Sequence, residues 1–295
     1  MGDSCHSEGS MGRLQSLLEE TLPGVEVLSV CIGATESQDR SASYFDSISR
    51  QVEVACEQLR AEPSLAAGFN AVGISQGGLF LRGLVQRCDG LPMRTLLAFG
   101  SPQAGVADVP GCVDEDASAT ASSDCALMRS LIRQGVYWSW IQNRIVQAQY
   151  FKRWDRIDQY LASSAFLADI NNERDDDIKP EYAKRIAQLE RLVLVRFEND
   201  TMVVPRDTPW FSFFDDQGVV RPLREQPIYT QDRIGLRALD EAHKLDFVSL
   251  PGNHVKITDE EFTELAQKYL APAGSPAQSA ATPRRRKQMV LGVRM

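Results

Sequence analysis

The sequence predicts an α/β fold, a mostly parallel sheet flanked by helices. Three observations carry this. Four apolar runs, 70–74, 94–99, 191–197 and 245–250, have the length of strands and little polar alternation, as expected of strands buried on both faces. Segments of helical periodicity stand between them. One long helical block, about 101–185, interrupts the alternation and reads most simply as a cap inserted between two strands.

The elements follow in order. Residues 1–12, MGDSCHSEGSMG, are small and polar and read as a loop. Residues 14–21 read as a helix and 24–30 as a strand. Helical periodicity covers 43–60. The run 70–74 is a strand, 79–88 a helix and 94–99 a second buried strand. Gly, Pro, Ser and Asp crowd 101–124, which is loop, whereas 126–170 is helical and rich in leucine and aromatics. A helix at 181–189 precedes the strand 191–197; the strand 245–250 and an amphipathic helix at 259–270 end the pattern. The remainder is rich in Pro, Ala and Ser and then basic, a composition that reads as a disordered tail. The expected organisation is one domain over 1–271, with its cap at about 101–185, and a tail over 272–295.

Composition narrows the function classes. The 295 residues suit one large domain or two small ones, and 43 % apolar content allows a sizeable core. A net charge of −8, from 32 basic and 40 acidic residues, argues against a nucleic-acid partner despite the run Arg284-Arg285-Arg286-Lys287. No run of about 18 apolar residues exists to span a membrane, and the first residues do not read as a secretory signal. Six cysteines decide little by number alone.

Chemistry begins at NAVGISQGG. Gly73-Ile74-Ser75-Gln76-Gly77 is a G-x-S-x-G pattern between an apolar strand and a helix, the setting of the nucleophile elbow of α/β-hydrolases. Such a turn holds a serine in strained geometry at the carboxyl end of the sheet, and small flanking residues let the backbones approach. The N–H of the next residue, Gln76, then points at the same spot as an oxyanion donor. A serine hydroxyl needs a base, and the chain offers His6, His243 and His254. The fold's chain order is serine, acid, histidine, which excludes His6. His243 reads as a solvated residue at a helix end; His254 lies in the loop after the last strand, at the active edge. Asp200, leaving the strand 191–197, is the candidate acid that would fix the histidine tautomer, with Glu198 and Asp207 as rivals.

At this point the chain resembles the lysosomal palmitoyl-protein thioesterases over about residues 1–271. The resemblance is carried by MGDSC (1–5), SMG (10–12), FNAVGISQGG (69–78), FLRGLVQRC (80–88), RIVQAQY (144–150), FLADINNER (166–174), FENDTMVVP (197–205), YTQDRIGL (229–236) and GNHVKIT (252–258). It implies an α/β-hydrolase that cleaves long-chain acyl (palmitoyl) thioesters of protein cysteines through an acyl-serine, with Ser75 as nucleophile, Asp200 as acid and His254 as base. A general carboxylester hydrolase with the same three residues, or an inactive form, stays open beside it. No metal or organic cofactor is required. The implied partners are S-acylated proteins or peptides.

The resemblance also pairs Cys56 with Cys88 and Cys112 with Cys125, and leaves Cys5 and Cys31 without partners, since His6 stands where relatives carry a second cysteine. Asn199-Asp200-Thr201 is an N-x-T sequon, so Asn199 is a candidate glycan site in a secretory or lysosomal protein. Relatives have a buried strand running into the segment that matches Met1. The expectation is therefore an N-terminally shortened chain whose sheet lacks an interior strand and whose second oxyanion donor, the N–H of Met1, is misplaced. Such a chain is expected to be poorly soluble or weakly active.

Overall fold

The computed structural model describes residues 3–108, 135–271 and, as backbone, 288–294. Its strands are β1 (Val25–Ser29), β2 (Phe69–Ile74), β3 (Met93–Phe99), β4 (Arg191–Phe197), β5 (Phe213–Phe214), β6 (Val220–Arg221), β7 (Leu245–Leu250) and β8 (Gln288–Arg294). Six of them make one sheet in the order β1-β8-β2-β3-β4-β7, parallel throughout, while β5 and β6 form a small separate hairpin. A parallel sheet covered on both faces is the α/β-hydrolase arrangement.

Alternation along the strands builds two cores. Ala71, Leu96, Leu192 and Leu194 pack with α3 (Ile48–Arg60) and α4 (Gln76–Arg87) on one face. Val72, Ile74, Leu97, Phe99, Val193, Val195 and Phe197 pack on the other with Leu18 of α1 (Arg13–Thr21) and with Phe262 and Leu265 of the helix Asp259–Leu270. The long apolar side chains of each core are almost fully withdrawn from water, which is the main term holding the sheet between its layers.

The expectation of an empty interior position is corrected by β8. It pairs in parallel with β1 from Val25↔Gln288 to Ser29↔Gly292, and with β2 from Phe69↔Met289 to Ile74↔Arg294. Residues 288–294 are thus not disordered tail. A gap between β1 and β2 would expose two rows of backbone donors and acceptors in a buried place, and one strand satisfies both rows. The apolar run Met289-Val290-Leu291-Gly292-Val293 has strand composition, although a basic stretch precedes it.

Other differences are local. α2 (Glu36–Ala42) was not expected, because ESQDRSA has no apolar stripe; Thr35 caps it by accepting from the Gln38 N–H at 3.3 Å. The helix expected over 43–60 begins only at Ile48, whose N–H, the first of the helix, donates to the Gln149 Oε1 at 2.8 Å. Between β3 and β4 the described chain is a series of short helices and turns: Ser139–Gln142, Val146–Tyr150, Trp154–Arg156, Ile157–Ser163, Leu167–Ile170 and Pro180–Ala187. Cys112 and Cys125 lie outside the described residues. Cys56 and Cys88 are bridged, tying α3 to the end of α4. Cys5 and Cys31 are also bridged to each other, which corrects the expectation that they lack partners. The N-terminal loop and the exit of β1 both lie at the carboxyl edge of the sheet, so the two thiols meet there.

Candidate active site

Ser75 sits between β2 and α4 with φ 54° and ψ −126°, a conformation costly for any residue with a Cβ. Its N–H donates to the Phe99 carbonyl at 2.7 Å, which anchors the turn to β3. Close packing of glycines permits the turn. A Cβ on Gly73 would fall 2.4 Å from the Gly78 Cα, and one on Gly78 would fall 2.0 Å from the Ser101 Oγ. Gly78 therefore excludes a side chain as firmly as Gly73 does. The doublet Gly77-Gly78 was its signal in the sequence.

The Ser75 Oγ lies 2.8 Å from the His254 Nε2, and the His254 Nδ1 lies 2.6 Å from the Asp200 Oδ2. Three residues far apart in the chain are thus in one hydrogen-bonded line. The Asp200 side chain is fully buried; its Oδ1 accepts from the N–H groups of Met202 at 2.8 Å and Val203 at 3.2 Å, which fixes the carboxylate within its own turn. Asn253 ties the two loops together, because its Oδ1 accepts from the Thr201 N–H at 3.0 Å and from the His254 N–H at 2.6 Å. In the sequence Asn253 reads only as part of the turn Pro251-Gly252-Asn253. The rivals point elsewhere. Glu198 accepts from the Ser249 hydroxyl at 3.1 Å and Asp207 pairs with Arg196. His243 is exposed, and His6 contacts the Gly33 carbonyl through Nε2 at 3.1 Å.

The profile of the palmitoyl protein thioesterase family matches residues 1–254, and so ends on the histidine. The chain belongs to that family, whose members are thioester hydrolases. Palmitoyl-protein thioesterase 1 of Caenorhabditis elegans is 38 % identical over 259 residues, 87 % of this chain and 84 % of the relative. Palmitoyl-protein thioesterase 3 of Dictyostelium discoideum is 34 % identical over 248 residues, 83 % of this chain and 80 % of the relative. A lysosomal thioesterase of Drosophila melanogaster, named a PPT2 homologue, is 28 % identical over 250 residues, 83 % of this chain and 80 % of the relative.

In this thioesterase-family chain, Gln76 opens α4, so its N–H has no acceptor within the helix and borders Ser75. Its side chain is 2 % exposed and held on two sides, by the Tyr150 hydroxyl donating to Oε1 at 3.1 Å and by Nε2 donating to the Ser43 carbonyl at 3.3 Å. Met1 lies outside the described residues. The loop just after it is clamped by Asp39, a buried carboxylate of α2 that accepts from the N–H groups of Cys5 at 2.9 Å, Ile32 at 2.7 Å and Gly33 at 3.0 Å. Neither the Gln76 side chain nor Asp39 was picked out from the sequence. Their acceptors and donors come from segments with no sequence link to them.

Arg82, nearly two turns further along α4, is completely buried. It donates to the Gln103 Oε1 at 2.7 Å, the Gln103 carbonyl at 3.0 Å, the Gln86 Oε1 at 3.2 Å, the Ile170 carbonyl at 3.1 Å and the Asn171 Oδ1 at 2.8 Å. Burial pulls it down to about 9, so it remains a cation at neutral pH, lying over the Phe211 ring. This fork joins the nucleophile helix to the FLADIN segment, beside which lies a cavity of about 470 Å³. Trp154, Ile157, Leu161, Phe211 and Phe213 supply its apolar wall, and Lys152 pairs with Glu173 at 2.6 Å on its lining. Ala104, in the loop leaving β3, also lines it. Among the described residues no helix is long and apolar enough to cross a membrane.

Proposed function

We propose that this protein hydrolyses long-chain acyl thioesters of protein cysteines, with Ser75 as nucleophile. The observation that carries the reading is the line Ser75–His254–Asp200, at 2.8 Å and 2.6 Å, on a strained strand-to-helix turn. With its Nδ1–H donated to Asp200, His254 presents Nε2 as acceptor and takes the hydroxyl proton as Oγ attacks the acyl carbonyl. The tetrahedral oxygen is stabilised by the Gln76 N–H and by a second donor from the N-terminal loop, for which Met1 is our candidate. The sulfur leaves readily, because a thiol is acidic, with a pKa of about 8.5, and it takes the proton from His254, which becomes neutral again. Water activated by His254 then releases the fatty acid and restores the hydroxyl.

The cavity walled by Ile157, Leu161, Phe211 and Phe213 is our seat for the alkyl chain, at about 0.8 kcal/mol per methylene withdrawn from water. The lysosome is the proposed compartment, since relatives from Drosophila melanogaster and Mus musculus are named lysosomal thioesterases. Two disulfides and an exposed Asn199 suited to a glycan support it.

The test compares hydrolysis of a palmitoyl-cysteine peptide with that of the matching palmitoyl-serine ester. Preference for the thioester supports the reading; preference for the oxygen ester moves the protein to the carboxylester hydrolases. Ile157→Trp, at a partly exposed position on the cavity wall, should shift the preferred acyl chain to shorter lengths. An unchanged chain-length profile removes this cavity from the account.

A further inference from the structure

We propose that Tyr150 and the Ser43 carbonyl act as a positioning clamp on the oxyanion donor, gripping the buried side chain of Gln76 so that its backbone N–H faces the nucleophile; the inference rests on the acyl-serine reading above. A glutamine amide 2 % exposed is unusual unless fully partnered. Here its partners come from two separate segments on either side. The Tyr150 hydroxyl donates to Oε1 at 3.1 Å, with the Gln147 Nε2 at 3.5 Å from the same oxygen, and Nε2 donates to the Ser43 carbonyl at 3.3 Å. Side chain and donor N–H belong to one residue, so fixing the amide limits rotation of the peptide that carries the donor.

Both sides of the clamp are themselves anchored. The Ser43 N–H is held by the carbonyls of Asp39 and Arg40, each at 3.2 Å, at the end of α2. Its carbonyl also accepts from the Gln147 Nε2 at 3.0 Å. The Tyr150 carbonyl accepts from the Val106 N–H at 3.0 Å. Gln149 donates to the Asp46 carbonyl at 2.6 Å and accepts from the Ile48 N–H at 2.8 Å. The turn Val146–Tyr150 is thereby stitched to 43–48, and Gln76 is caught between them. Burial pushes the Tyr150 phenol well above its ordinary value, so it remains a protonated donor across any working pH. A displacement of about 1 Å in a reacting geometry can cost about a hundredfold, so a loosened donor has a measurable effect.

The alternative is a buried amide that is merely satisfied. It would show in stability and not in transition-state binding. Tyr150→Phe removes one hydroxyl and little volume; Gln76→Met removes the amide and keeps the N–H. Three quantities are measured for each: kcat on a palmitoyl thioester, the rate of Ser75 labelling by a fluorophosphonate, and binding of a non-hydrolysable palmitoyl thioether. The fluorophosphonate places a developing oxyanion on the same donors whatever the natural ester. We expect kcat and labelling rate to fall together, roughly tenfold for Tyr150→Phe, with thioether binding unchanged. Unchanged labelling by both folded variants overturns the clamp, as does an equal loss of thioether binding. If the wild type is labelled but does not cleave thioesters, only the substrate assignment fails, and labelling still decides the clamp. If Ser75 is not labelled in the wild type, the acyl-serine reading falls and the clamp with it.

Discussion

The two halves of the sheet's active edge are built differently. On one side, β3, β4 and β7 stand in chain order, each a local apolar run, and the loops leaving β4 and β7 deliver Asp200 and His254. On the other, β1 and β2 are separated by β8, drawn from the far end of the chain. The first half is assembled from what each segment is. The second is assembled from what a vacant interior position requires: two rows of ladder partners, supplied by whichever apolar segment can reach.

The comparison breaks first at β8. Ending the chain at residue 287 removes the partner of both β1 and β2. Each unmet buried backbone group costs about 1–3 kcal/mol, against a net stability of about 5–15 kcal/mol. The shortened protein should show no cooperative thermal transition and no labelling at Ser75, and a peptide spanning 288–294 added in trans should restore some of both. A shortened chain that melts like the full one would make β8 dispensable and the two halves equivalent.

The opposite half is sharpened by Asp200→Asn, which keeps the shape but donates where an acceptor is needed. Turnover should fall by about 10²–10⁴, with the melting temperature little changed. A loss under tenfold would mean that another carboxylate orients His254.

A smaller effect is expected at Asp169, away from both halves. Burial opposes its ionisation, yet Arg87 and Lys179, the latter at 2.6 Å, outweigh burial and hold the carboxyl below its ordinary value. A lowered carboxyl stabilises the fold above the unfolded value, about 3.9, and the contribution is lost as pH falls through the folded value. Asp169→Asn should therefore destabilise by about 1–3 kcal/mol, equally at pH 7 and pH 5, with the gap closing only below about pH 4. A gap that closes between pH 7 and pH 5 would contradict the direction of the shift. Chemical denaturation across that range measures it.

These differences follow what was legible in the sequence. The strand at 191–197 agrees with β4 because Leu192–Val195 is an unbroken buried apolar run, and 245–250 agrees with β7, an edge strand only partly buried. Ser75 and His254 were legible because glycine spacing, strand ends and chain order are local or one-dimensional signals. Three features were not. β8 needs knowledge of a vacancy that no nearby residue announces. α2 is polar and depends on the buried Asp39 and the Thr35 cap, so it lacks periodicity. The pairing of Cys5 with Cys31 is a fact of where two loops meet, not of spacing.

The account stands most directly on the covalent state of Ser75 during turnover. A palmitoyl thioester peptide is mixed with the protein, quenched within milliseconds to seconds, digested and analysed by mass spectrometry. The account predicts a palmitoyl group on the peptide bearing Ser75, gained before the fatty acid appears and absent in Ser75→Ala, which no longer turns over. Thioester hydrolysis that continues at the wild-type rate in Ser75→Ala, or an acyl adduct on another residue, would contradict it.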